Sequence, residues 1–560
     1  MSESNVTSVS GQTTGSTARF PRKMLILTGF VALMSASAFG FVSELDDRFG
    51  IGADVVMVYS VFGLALLLLL WVAWFLLSSG LRWWQRVLAS LLLLAVPVLA
   101  MKLLRPVNSG DATIVRFEPV WSAPAEVTVE DVTIDENPVD LKTETPDDFP
   151  RFLGSAQNGA VSSGLQIDAD RFAETKILWK QPIGRGWSGF VARNGFAVTM
   201  EQREDQECVT CYDMGTGALQ WIYQHRARHR DAVNLGRTGP RVTPTISDGM
   251  VYAVGAVGNL VCLNGADGTV RWQCDLNELL DLQLQSSIDS DGFEVSWEGN
   301  SSLAWGRSGC PLIVGDLVVV PGGGPRDGRR STLLAFDRLS GELIWRGGDE
   351  MIAYGSPILA TVAGTEQILM TAESKVMGFD PETGEVLWHF PRPGQSDSSA
   401  NTSQVTVVDH DHVLTSKGYP DGGGELIRLD RDGKEIRPAS VWKNALAFKT
   451  KLTSPVVFEG HAYSLSNGFL ECARLADGER IWKRRGRFGH GQLLLVGNHL
   501  LVHGESGTLS LVEATTEGYR EIGIVDTVDG VCWNTICLAG NRLLVRSELE
   551  AACLELPVRP

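Results

Sequence analysis

A short sequence pattern that recurs along the chain restricts the fold more than any other feature. Residues 378–388 read GFDPETGEVLW, and related stretches begin at Cys211, Cys262, Ala335 and Cys472. Each contains a small residue, a polar turn, a Gly and a closing Trp. Asp and Thr side chains hydrogen-bond the backbone of turns, Gly accepts the positive φ of tight hairpins, and Trp supplies a large apolar plate. A unit that repeats in this way predicts a repeat architecture.

The spacing of the closing tryptophans is typical of a β-propeller. A four-stranded blade takes about 40 to 50 residues, and most gaps between these tryptophans are close to that length. The closing residues are Trp179, Trp221, Trp272, Trp345, Trp388, Trp442 and Trp482. The pattern therefore predicts an all-β domain.

A second repeat marks the innermost strand of each blade. It places a small or hydroxyl-bearing residue, often followed by Pro, at the start of an apolar strand. It occurs at Thr243, Cys310, Ser356 and Ser454, with weaker equivalents at Ser188, Ser403, Gly491 and Thr535. These positions predict an eight-bladed β-propeller with four-stranded antiparallel blades, and seven blades is the competing count. Residues 551–554 are expected to pair with residues 177–179, which closes the ring and removes free strand edges.

Three apolar stretches before the repeats predict a membrane domain in residues 21–105. They cover residues 24–42, 55–77 and 84–104, and a transmembrane helix needs roughly 20 apolar residues. For the first stretch, a cleaved signal peptide is the alternative, because Ala36-Ser37-Ala38 resembles a cleavage site.

Loop charge sets the expected orientation of these helices. Arg82 and Arg86 lie between the second and third stretches, whereas residues 44–54 carry four acidic residues and one Arg. The positive-inside rule places the two arginines in the cytoplasm, although Lys102 and Arg105 oppose this slightly. Residues 1–20, which are rich in Ser, Thr and Gly, are then expected to form a disordered cytoplasmic tail. The protein is expected in the inner (cytoplasmic) membrane, multi-pass, with its propeller in the periplasm or extracytoplasmic space.

Residues 106–147 predict a linker between the membrane domain and the propeller, which is expected over residues 148–560. The linker contains several prolines and far more acidic than basic residues, so it should be extended and self-repelling. The apolar residues Val127, Val129, Val132 and Ile134 leave open an additional strand pair packed on the propeller.

Charge and cysteine content exclude two classes of protein. The formal net charge is −17, which argues against a general nucleic-acid binder. The nine cysteines are an odd number, which argues against a complete disulfide framework.

The repeat resembles that of the pyrroloquinoline-quinone (PQQ) enzymes, small-x-Asp-x-x-Thr-Gly-x-x-x-Trp. Residues 148–154, which read DFPRFLG, and the following Asn158-Gly159 resemble the lead-in found before many such propellers. The resemblance covers residues 148–560 and implies that each closing Trp docks on the neighbouring blade. Two branches share this fold. Quinoprotein dehydrogenases oxidise alcohols and sugars with PQQ and calcium, whereas propellers similar to BamB are non-enzymatic and bind proteins.

The sequence favours the BamB-like branch. Many dehydrogenases of the family stack the quinone on a disulfide between adjacent cysteines, and this chain has no two adjacent cysteines. A PQQ- and calcium-dependent membrane-bound dehydrogenase stays the alternative, because membrane-bound sugar dehydrogenases also carry transmembrane helices before a quinone propeller. The resemblance implies a membrane-anchored scaffolding or protein-binding module with no catalytic residues, metal or cofactor. BamB-like proteins are anchored by a lipidated cysteine, however, and the first cysteine here is Cys208.

Two further motifs have structural interpretations. Cys208 and Cys211 form a C-x-x-C, but Cys211 occupies the small-residue position of the repeat, and residues three apart on a strand point to opposite faces. His225 and His229 have zinc-ligand spacing for a helix. They lie in a turn-rich basic segment, for which a solvated loop is expected.

Two loops that follow closing tryptophans are basic although the whole chain is acidic. The candidate partner-binding residues in them are Arg226, Arg228, Arg230, Arg484 and Arg485. Arg forks suit carboxylates and phosphates, and loops leaving the outer strands share one face of a propeller. The expected partner is an acidic segment of an envelope protein or an anionic envelope polymer, with ordinary solvated loop charge as the alternative. The longest of these loops, residues 273–309, is acidic.

The loop charges lead to a topology prediction. We expect a reporter enzyme that is active only outside the cytoplasm to be active when fused after Pro560, because Arg82 and Arg86 hold their loop inside. Activity at that site of a reporter restricted to the cytoplasm would reverse the orientation.

Overall fold

The computed structural model describes residues 21–49, 52–108, 114–122, 139–161, 164–230, 236–289, 292–301 and 303–559. The tail predicted for residues 1–20 lies outside them. The chain divides into two compact units, which are the N-terminal helices with a following hairpin and the β-rich remainder.

The N-terminal unit contains the apolar helices. They are α1 (Arg22–Gly40), α2 (Val42–Phe49), α3 (Ala53–Leu77) and α4 (Trp83–Leu103). Three of them, α1, α3 and α4, are long and apolar enough to cross a membrane by length and composition, close to the predicted ranges. The short helix α2 was not expected in the acidic segment. The Trp71 indole on α3 donates to Thr28 Oγ1 on α1 at 3.0 Å.

The predicted linker is folded at both of its ends. Strands β1 (Leu104–Asn108) and β2 (Ile114–Pro119) form an antiparallel hairpin, followed by a 3-10 turn at Val120–Ser122. At the other end, Val139 and Leu141 are buried in the core of the second unit, so this unit begins before residue 148. Residues 123–138, which include the four apolar positions considered for an extra strand pair, lie outside the described residues.

Eight four-stranded blades form the second unit. Two strands precede blade 1 in the chain, β3 (Ala160–Val161) and β4 (Lys176–Pro182), with a 3-10 helix at Ala169–Glu174 between them. Blades 1 and 2 are β5 (Val191–Arg193), β6 (Phe196–Arg203), β7 (Gln206–Asp213), β8 (Leu219–Arg226), and β9 (Thr245–Ser247), β10 (Met250–Val254), β11 (Asn259–Asn264), β12 (Val270–Asp275). An insert follows, with α5 (Leu276–Leu279), β13 (Leu284–Ile288) and β14 (Glu294–Glu298).

The remaining blades follow in chain order. Blades 3 and 4 are β15 (Leu312–Val314), β16 (Leu317–Gly323), β17 (Ser331–Asp337), β18 (Leu343–Gly347), and β19 (Ile358–Val362), β20 (Thr365–Thr371), β21 (Lys375–Phe379), β22 (Val386–Pro391). Blades 5 and 6 are β23 (Thr406–Val407), β24 (His412–Lys417), β25 (Gly423–Asp432), β26 (Glu435–Asn444), and β27 (Val456–Phe458), β28 (His461–Ser466), β29 (Phe469–Arg474), β30 (Arg480–Lys483). Blade 7 is β31 (Gln492–Val496), β32 (His499–His503), β33 (Thr508–Glu513) and β34 (Glu521–Asp526), and blade 8 comprises β35 (Cys537–Ala539), β36 (Arg542–Arg546), β37 (Glu550–Glu555) and β4.

The eight-bladed prediction is confirmed, and so is the predicted closure. The N-terminal strand β4 pairs with the C-terminal strand β37, with Trp179 opposite Cys553. Arg546, which is 1% exposed, adds a polar link between the first and last blades. Its guanidinium donates to the carbonyls of Gly184 and Met200 at 2.8 and 3.0 Å. Strands from the beginning and the end of the propeller sequence therefore complete one blade jointly.

The repeat pattern sets the contact between neighbouring blades. The Asp380 carboxylate accepts hydrogen bonds from Thr383 N and Oγ1, both at 2.8 Å, which fixes the turn. Gly384 in that turn has a φ of +73°, and a Cβ there would lie 2.4 Å from Cε3 of Trp345 in the preceding blade. Only Gly therefore allows the indole plate to lie on the turn. The same arrangement joins Trp179 to Gly217, Trp221 to Gly268, Trp272 to Gly341, and Trp442 to Gly478.

Indole N–H groups add a hydrogen bond to most of these contacts. Trp221 donates to Gly265 O of the next blade at 2.9 Å, and Trp179, Trp272, Trp442 and Trp482 make equivalent bonds. Trp388 instead donates to Gln367 Oε1 of its own blade at 2.6 Å, because the β25–β26 turn that follows lacks the pattern.

The lead-in segment, residues 149–161, crosses the centre of the ring. Phe149 exchanges backbone hydrogen bonds with Ala192 of β5 at 2.9 and 2.8 Å, and Gly159 O accepts from Leu495 of β31 at 2.8 Å. Between them, Gln157 O accepts from the Gln404 side chain of blade 5. Contacts with inner strands on different sides of the ring mean that the chain's own lead-in occupies the axial channel.

These contacts predict a large and selective cost for losing one closing Trp. Trp345 is 7% exposed, whereas its strand neighbour Ile344 is 51% exposed. We expect Trp345→Ala to lower the free energy of unfolding by about 3 to 5 kcal/mol, measured by denaturant titration of the full chain in detergent. Ile344→Ala is the matched control and should cost less than about 1 kcal/mol. Equal effects of the two substitutions would remove the docking role.

Candidate functional site

The two faces of the ring differ in what they offer to a partner. Because the strands of a blade alternate in direction, the connections between second and third strands and those leading to the next blade share one face, here termed the loop face. Its inter-blade loops are 183–190, 227–244, 276–311, 348–357, 392–405, 445–455, 484–491 and 527–536. The opposite face carries mainly short turns and the lead-in segment. The connections that differ most in length between blades therefore lie on the loop face.

A belt of hydrogen bonds joins the inner strands at this face. Gly189 N donates to Thr243 Oγ1 at 3.0 Å, and Cys310 N donates to Ser356 Oγ at 3.0 Å. Thr243 N contacts Cys310 Sγ at 3.4 Å, and Gln404 N donates to Ser454 Oγ at 3.1 Å. The small residues of the second sequence repeat thus have a structural role, since each receives the backbone of the preceding blade.

The residues two positions before this belt line the mouth of the channel. They include Trp187, Arg241, Tyr354 and Trp533. Trp187 and Trp533 stack with ring centroids 4.3 Å apart, and their indole N–H groups donate to Gly236 O and Glu505 Oε1 at 2.6 and 2.5 Å. These two hydrogen bonds fix both indoles, so the stacked pair forms a rigid aromatic surface beside the propeller axis.

A second aromatic cluster joins loops from distant parts of the chain. Trp305, from the insert after blade 2, stacks on Tyr419 of blade 5 with centroids 6.1 Å apart and also contacts Tyr354 at 5.7 Å. The Tyr354 hydroxyl donates to Ser396 O at 2.8 Å. The insert therefore reaches across the loop face to blade 5.

Carboxylates behind the mouth are occupied by protein groups. Glu201 accepts from Tyr212 OH at 2.6 Å and from Gly184 N at 2.5 Å, and Glu505 accepts from Trp533. Glu207 accepts from Ala256 N at 3.0 Å, and burial raises its pKa to about 7. Among the described residues, no group of three or more His, Cys, Asp or Glu side chains could hold a metal ion. The full sequence also contains no two adjacent cysteines.

Arg228 is buried instead of facing a partner. It is 2% exposed, its Nη1 donates to Glu204 O at 2.6 Å, and its Nε lies 3.4 Å from Asp289 Oδ2 of the insert. The guanidinium also stacks on Phe293 at 4.4 Å. This burial corrects the expectation of a solvated or partner-binding loop, because the chain's own insert supplies the carboxylate that Arg228 binds.

The residues next to Arg228 differ in exposure and in whether they contact the same insert. His229 is 1% exposed, its Nδ1 lies 3.1 Å from Ser296 O, and burial with the charge of Arg241 holds its pKa well below the usual value. Arg230 lies 3.8 Å from the same Asp289 carboxylate and is partly exposed. Arg226 is exposed and pairs with Asp205 at 3.1 Å.

The second basic loop, residues 483–487, has its cations stacked on aromatic rings. Arg484 lies over Phe488 at 4.1 Å and over Tyr519 at 5.2 Å, and its Nη2 is 3.9 Å from Glu521. Lys483 and Arg487 lie over Phe469 at 4.3 and 5.7 Å. Arg485 is exposed. This loop, termed the stacked basic loop below, presents pre-oriented cations at the surface.

The cysteines are structural. All nine, which lie within the described residues, are free, and all but Cys274 are buried. Cys211 lies directly opposite Trp221 in the sheet, as do Cys262 opposite Trp272 and Cys472 opposite Trp482. Burial raises the pKa of Cys211 well above its usual value, so the thiol stays protonated and unreactive.

The pairing of the insert with the first basic loop escaped sequence reasoning. Its signal was present, because Asp291-Gly292 lies between the alternating apolar residues Leu284, Ile288, Val295 and Trp297, a pattern typical of a hairpin. The contact of this hairpin with Arg228 is non-local, and no local pattern marks it.

Comparison with known proteins identifies the repeat. A family model described as outer membrane protein assembly factor BamB matches residues 168–290 and 205–484, which together span more than half of the chain. The BamB of Xanthomonas campestris pv. campestris is 24% identical over 374 residues, covering 60% of this chain and 84% of that protein. The BamB of Yersinia pestis is 22% identical over 279 residues, covering 48% of this chain and 59% of that protein.

One solved structure illustrates how widely the fold occurs. The quinohemoprotein alcohol dehydrogenase from Comamonas testosteroni superimposes with a TM-score of 0.52 at 14% identity, over 74% of this chain and 81% of that chain. At this identity the likeness shows the fold alone.

The buried Arg228–Asp289 pair predicts how the insert is held. Asp289→Ala leaves a buried guanidinium without its carboxylate, a change that costs about 3 to 5 kcal/mol. We expect it to speed amide hydrogen exchange in β13 and β14 by at least about a hundredfold, measured by mass spectrometry. Glu294→Ala, which changes an exposed acid on the same hairpin, is the control. Unchanged exchange in Asp289→Ala would show that the ion pair does not hold the insert.

Proposed function

Because this chain belongs to the family of the outer membrane protein assembly factor BamB, we propose that its propeller is a non-enzymatic protein-binding or scaffolding module of the cell envelope. The module acts without a cofactor. The N-terminal helices anchor it in the cytoplasmic membrane as a multi-pass protein, and the propeller faces the periplasm or extracytoplasmic space.

The stacked basic loop is the observation that carries this proposal. Arg and aromatic side chains are enriched at the energetic centres of protein interfaces. Stacking on Phe469, Phe488 and Tyr519 restricts the long cationic side chains before binding, which reduces the entropy lost on association. The loop face therefore offers prepared cations to an acidic partner.

The helices favour a different membrane from the one named for the relatives, which are outer membrane protein assembly factors. Here, α1, α3 and α4 have the length and composition of membrane spans, and Arg82 and Arg86 favour a cytoplasmic loop between α3 and α4. The partner is thus an envelope protein with an acidic segment, or an anionic envelope polymer, near the cytoplasmic membrane.

A quinoprotein dehydrogenase of alcohols or sugars is the second candidate. The stacked Trp187–Trp533 pair at the axial mouth favours it, because a planar aromatic surface suits a planar ligand. The environment of Glu201, Glu207 and Glu505 opposes it. Dye-linked oxidation of an alcohol or sugar by the full chain, supplied with PQQ and calcium, would favour this candidate.

The test of the proposal compares partner capture by charge-reversed variants. We expect Arg485→Glu, in full-length protein purified in detergent, to weaken capture of the envelope partner at least tenfold, about 1.4 kcal/mol, and more strongly at low salt. The substitution is exposed and should leave the melting temperature unchanged.

Lys434→Glu is the matched control, because Lys434 is an exposed cation in the β25–β26 turn on the opposite face. Its capture of the partner should equal that of the wild type. Equal capture by Arg485→Glu and the wild type would exclude the stacked basic loop as the binding site.

A further inference from the structure

In the insert after blade 2, strand β14 makes backbone hydrogen bonds on both sides, whereas strand β13 makes them on one side. Strand β14 pairs with β13 on one side. On its other side, Ser296 N donates to Arg228 O at 2.8 Å. Within the part of the chain that the structure describes, β13 pairs with β14 alone. The hairpin therefore presents β13 as an open strand edge.

Hydrogen bonds at the two ends of the hairpin identify the backbone groups on this edge. Gly299 N donates to Gln283 O at 2.7 Å, and Asp289 N donates to Phe293 O at 2.9 Å. Hydrogen-bonded pairs alternate with non-bonded pairs along an antiparallel ladder. The backbone N–H and C=O groups of residues 285 and 287 therefore also point towards β14. The N–H and C=O groups of Leu284, Ser286 and Ile288 consequently point to the open edge.

This edge lacks the features that normally prevent strand addition. Proteins protect edges with charged residues, Pro or bulges, whereas residues 284–288 read LQSSI. Leu284 and Ile288 are 46% and 68% exposed, and both lie on the same face of the strand as Ser286. An uncharged, regular edge with an exposed apolar residue at each end is suited to another strand.

The hairpin behind the edge is rigidly anchored. The buried Glu298–Arg307 pair has a distance of 2.7 Å, and Arg307 Nη1 donates to the carbonyls of Pro321 and Gly322 in blade 3 at 3.1 and 2.8 Å. Val295 on β14 is buried. A partner strand would therefore meet a preorganised template and would not have to order it.

We propose that β13 is a docking edge to which an extended segment of an envelope protein adds as a further strand. Main-chain hydrogen bonds to Leu284, Ser286 and Ile288 supply the pairing. This inference rests on the proposed function, since it names a surface through which the propeller binds a protein.

Charge defines the chemistry of the occupant. Two exposed acids lie near the ends of the edge: Asp281 precedes β13, and Glu294 lies opposite Ile288 in the hairpin. The bound segment therefore carries alternating apolar residues with Lys or Arg at its ends. A second copy of this chain fits poorly, because antiparallel pairing of two β13 strands about Ser286 sets the acidic hairpin ends against one another. Like charges across a strand pair are destabilising.

The experiment uses the full chain in detergent with a short peptide of alternating Val and Thr, flanked by Lys, as the probe. We expect the peptide to bind and to slow amide exchange at Leu284, Ser286 and Ile288. Ser286→Pro removes an outward N–H without disturbing the bonds to β14, and should weaken binding at least tenfold. Ser286→Ala is the matched control and should bind like the wild type.

A second variant covers the case in which Pro distorts the hairpin. Ile288→Lys places a charge on the edge, which opposes addition of a Lys-flanked strand while keeping every backbone N–H, and it too should weaken binding. The proposal is overturned when the wild type does not bind the peptide, or when both variants bind it as the wild type does.

Capture of the envelope partner separates this inference from the proposed function. Loss of the partner in Arg485→Glu with full capture by Ser286→Pro overturns the docking edge and supports the binding module. Peptide binding at β13 by a wild-type protein that captures no envelope partner supports the edge and overturns the module. An anionic polymer held by Arg485 is unaffected by Ser286→Pro and also counts against the edge.

Discussion

Docking of one blade on the next is the interaction on which the remaining structure depends. A single blade leaves its closing indole exposed, and at five of the blade contacts a Gly in the turn of the next blade lets the two surfaces approach. Gly384 under Trp345 shows the requirement directly, since any Cβ there would overlap the ring. Because every blade needs a successor, the ring has to close, and closure explains why β4 from the start of the propeller sequence completes the last blade beside β37. A closed ring leaves the blades with only short, protected strand edges.

Closure also determines where a partner can bind. The lead-in segment pairs with inner strands around the ring and fills the channel, while the short Asp-anchored turns leave little variable surface on the face opposite the loops. The longest connections thus lie on the loop face, where residues 276–311 form the largest insert. In this protein the insert contacts Arg228, Tyr354 and Tyr419, so the loop face is one connected surface in which distant loops support each other.

The sequence allowed much of the fold to be predicted because the relevant interactions are local and repeated. The turn of residues 380–384 and its Trp lie within one short stretch, so each copy reports the same geometry. The buried state of Arg228 follows from a contact with Asp289, which is remote in sequence and occurs once. Basic residues counted along the sequence therefore made Arg228 and Arg485 equal candidates for partner binding, although Arg228 is enclosed by an insert and Arg485 is exposed. The folded ends of the linker escaped prediction for a related reason, since the hairpin of β1 and β2 depends on pairing that composition does not reveal.

The two basic loops illustrate how one surface chemistry can have two uses. Both follow a closing Trp, and both hold their cations against aromatic rings, Arg228 on Phe293 and Arg484 on Phe488. At the first loop, an acidic hairpin of the same chain supplies the carboxylate, and the resulting ion pair holds that hairpin in place. At the second loop, the adjacent carboxylate of Glu521 is more distant, at 3.9 Å, and Arg485 is exposed. The internal pairing at the first loop thus shows, within one chain, the kind of contact that we propose for the second, namely an acidic segment with an aromatic residue beside it. The hairpin fixed by the first loop in turn exposes β13, so an intrachain ion pair on one side of the insert prepares a binding edge on the other.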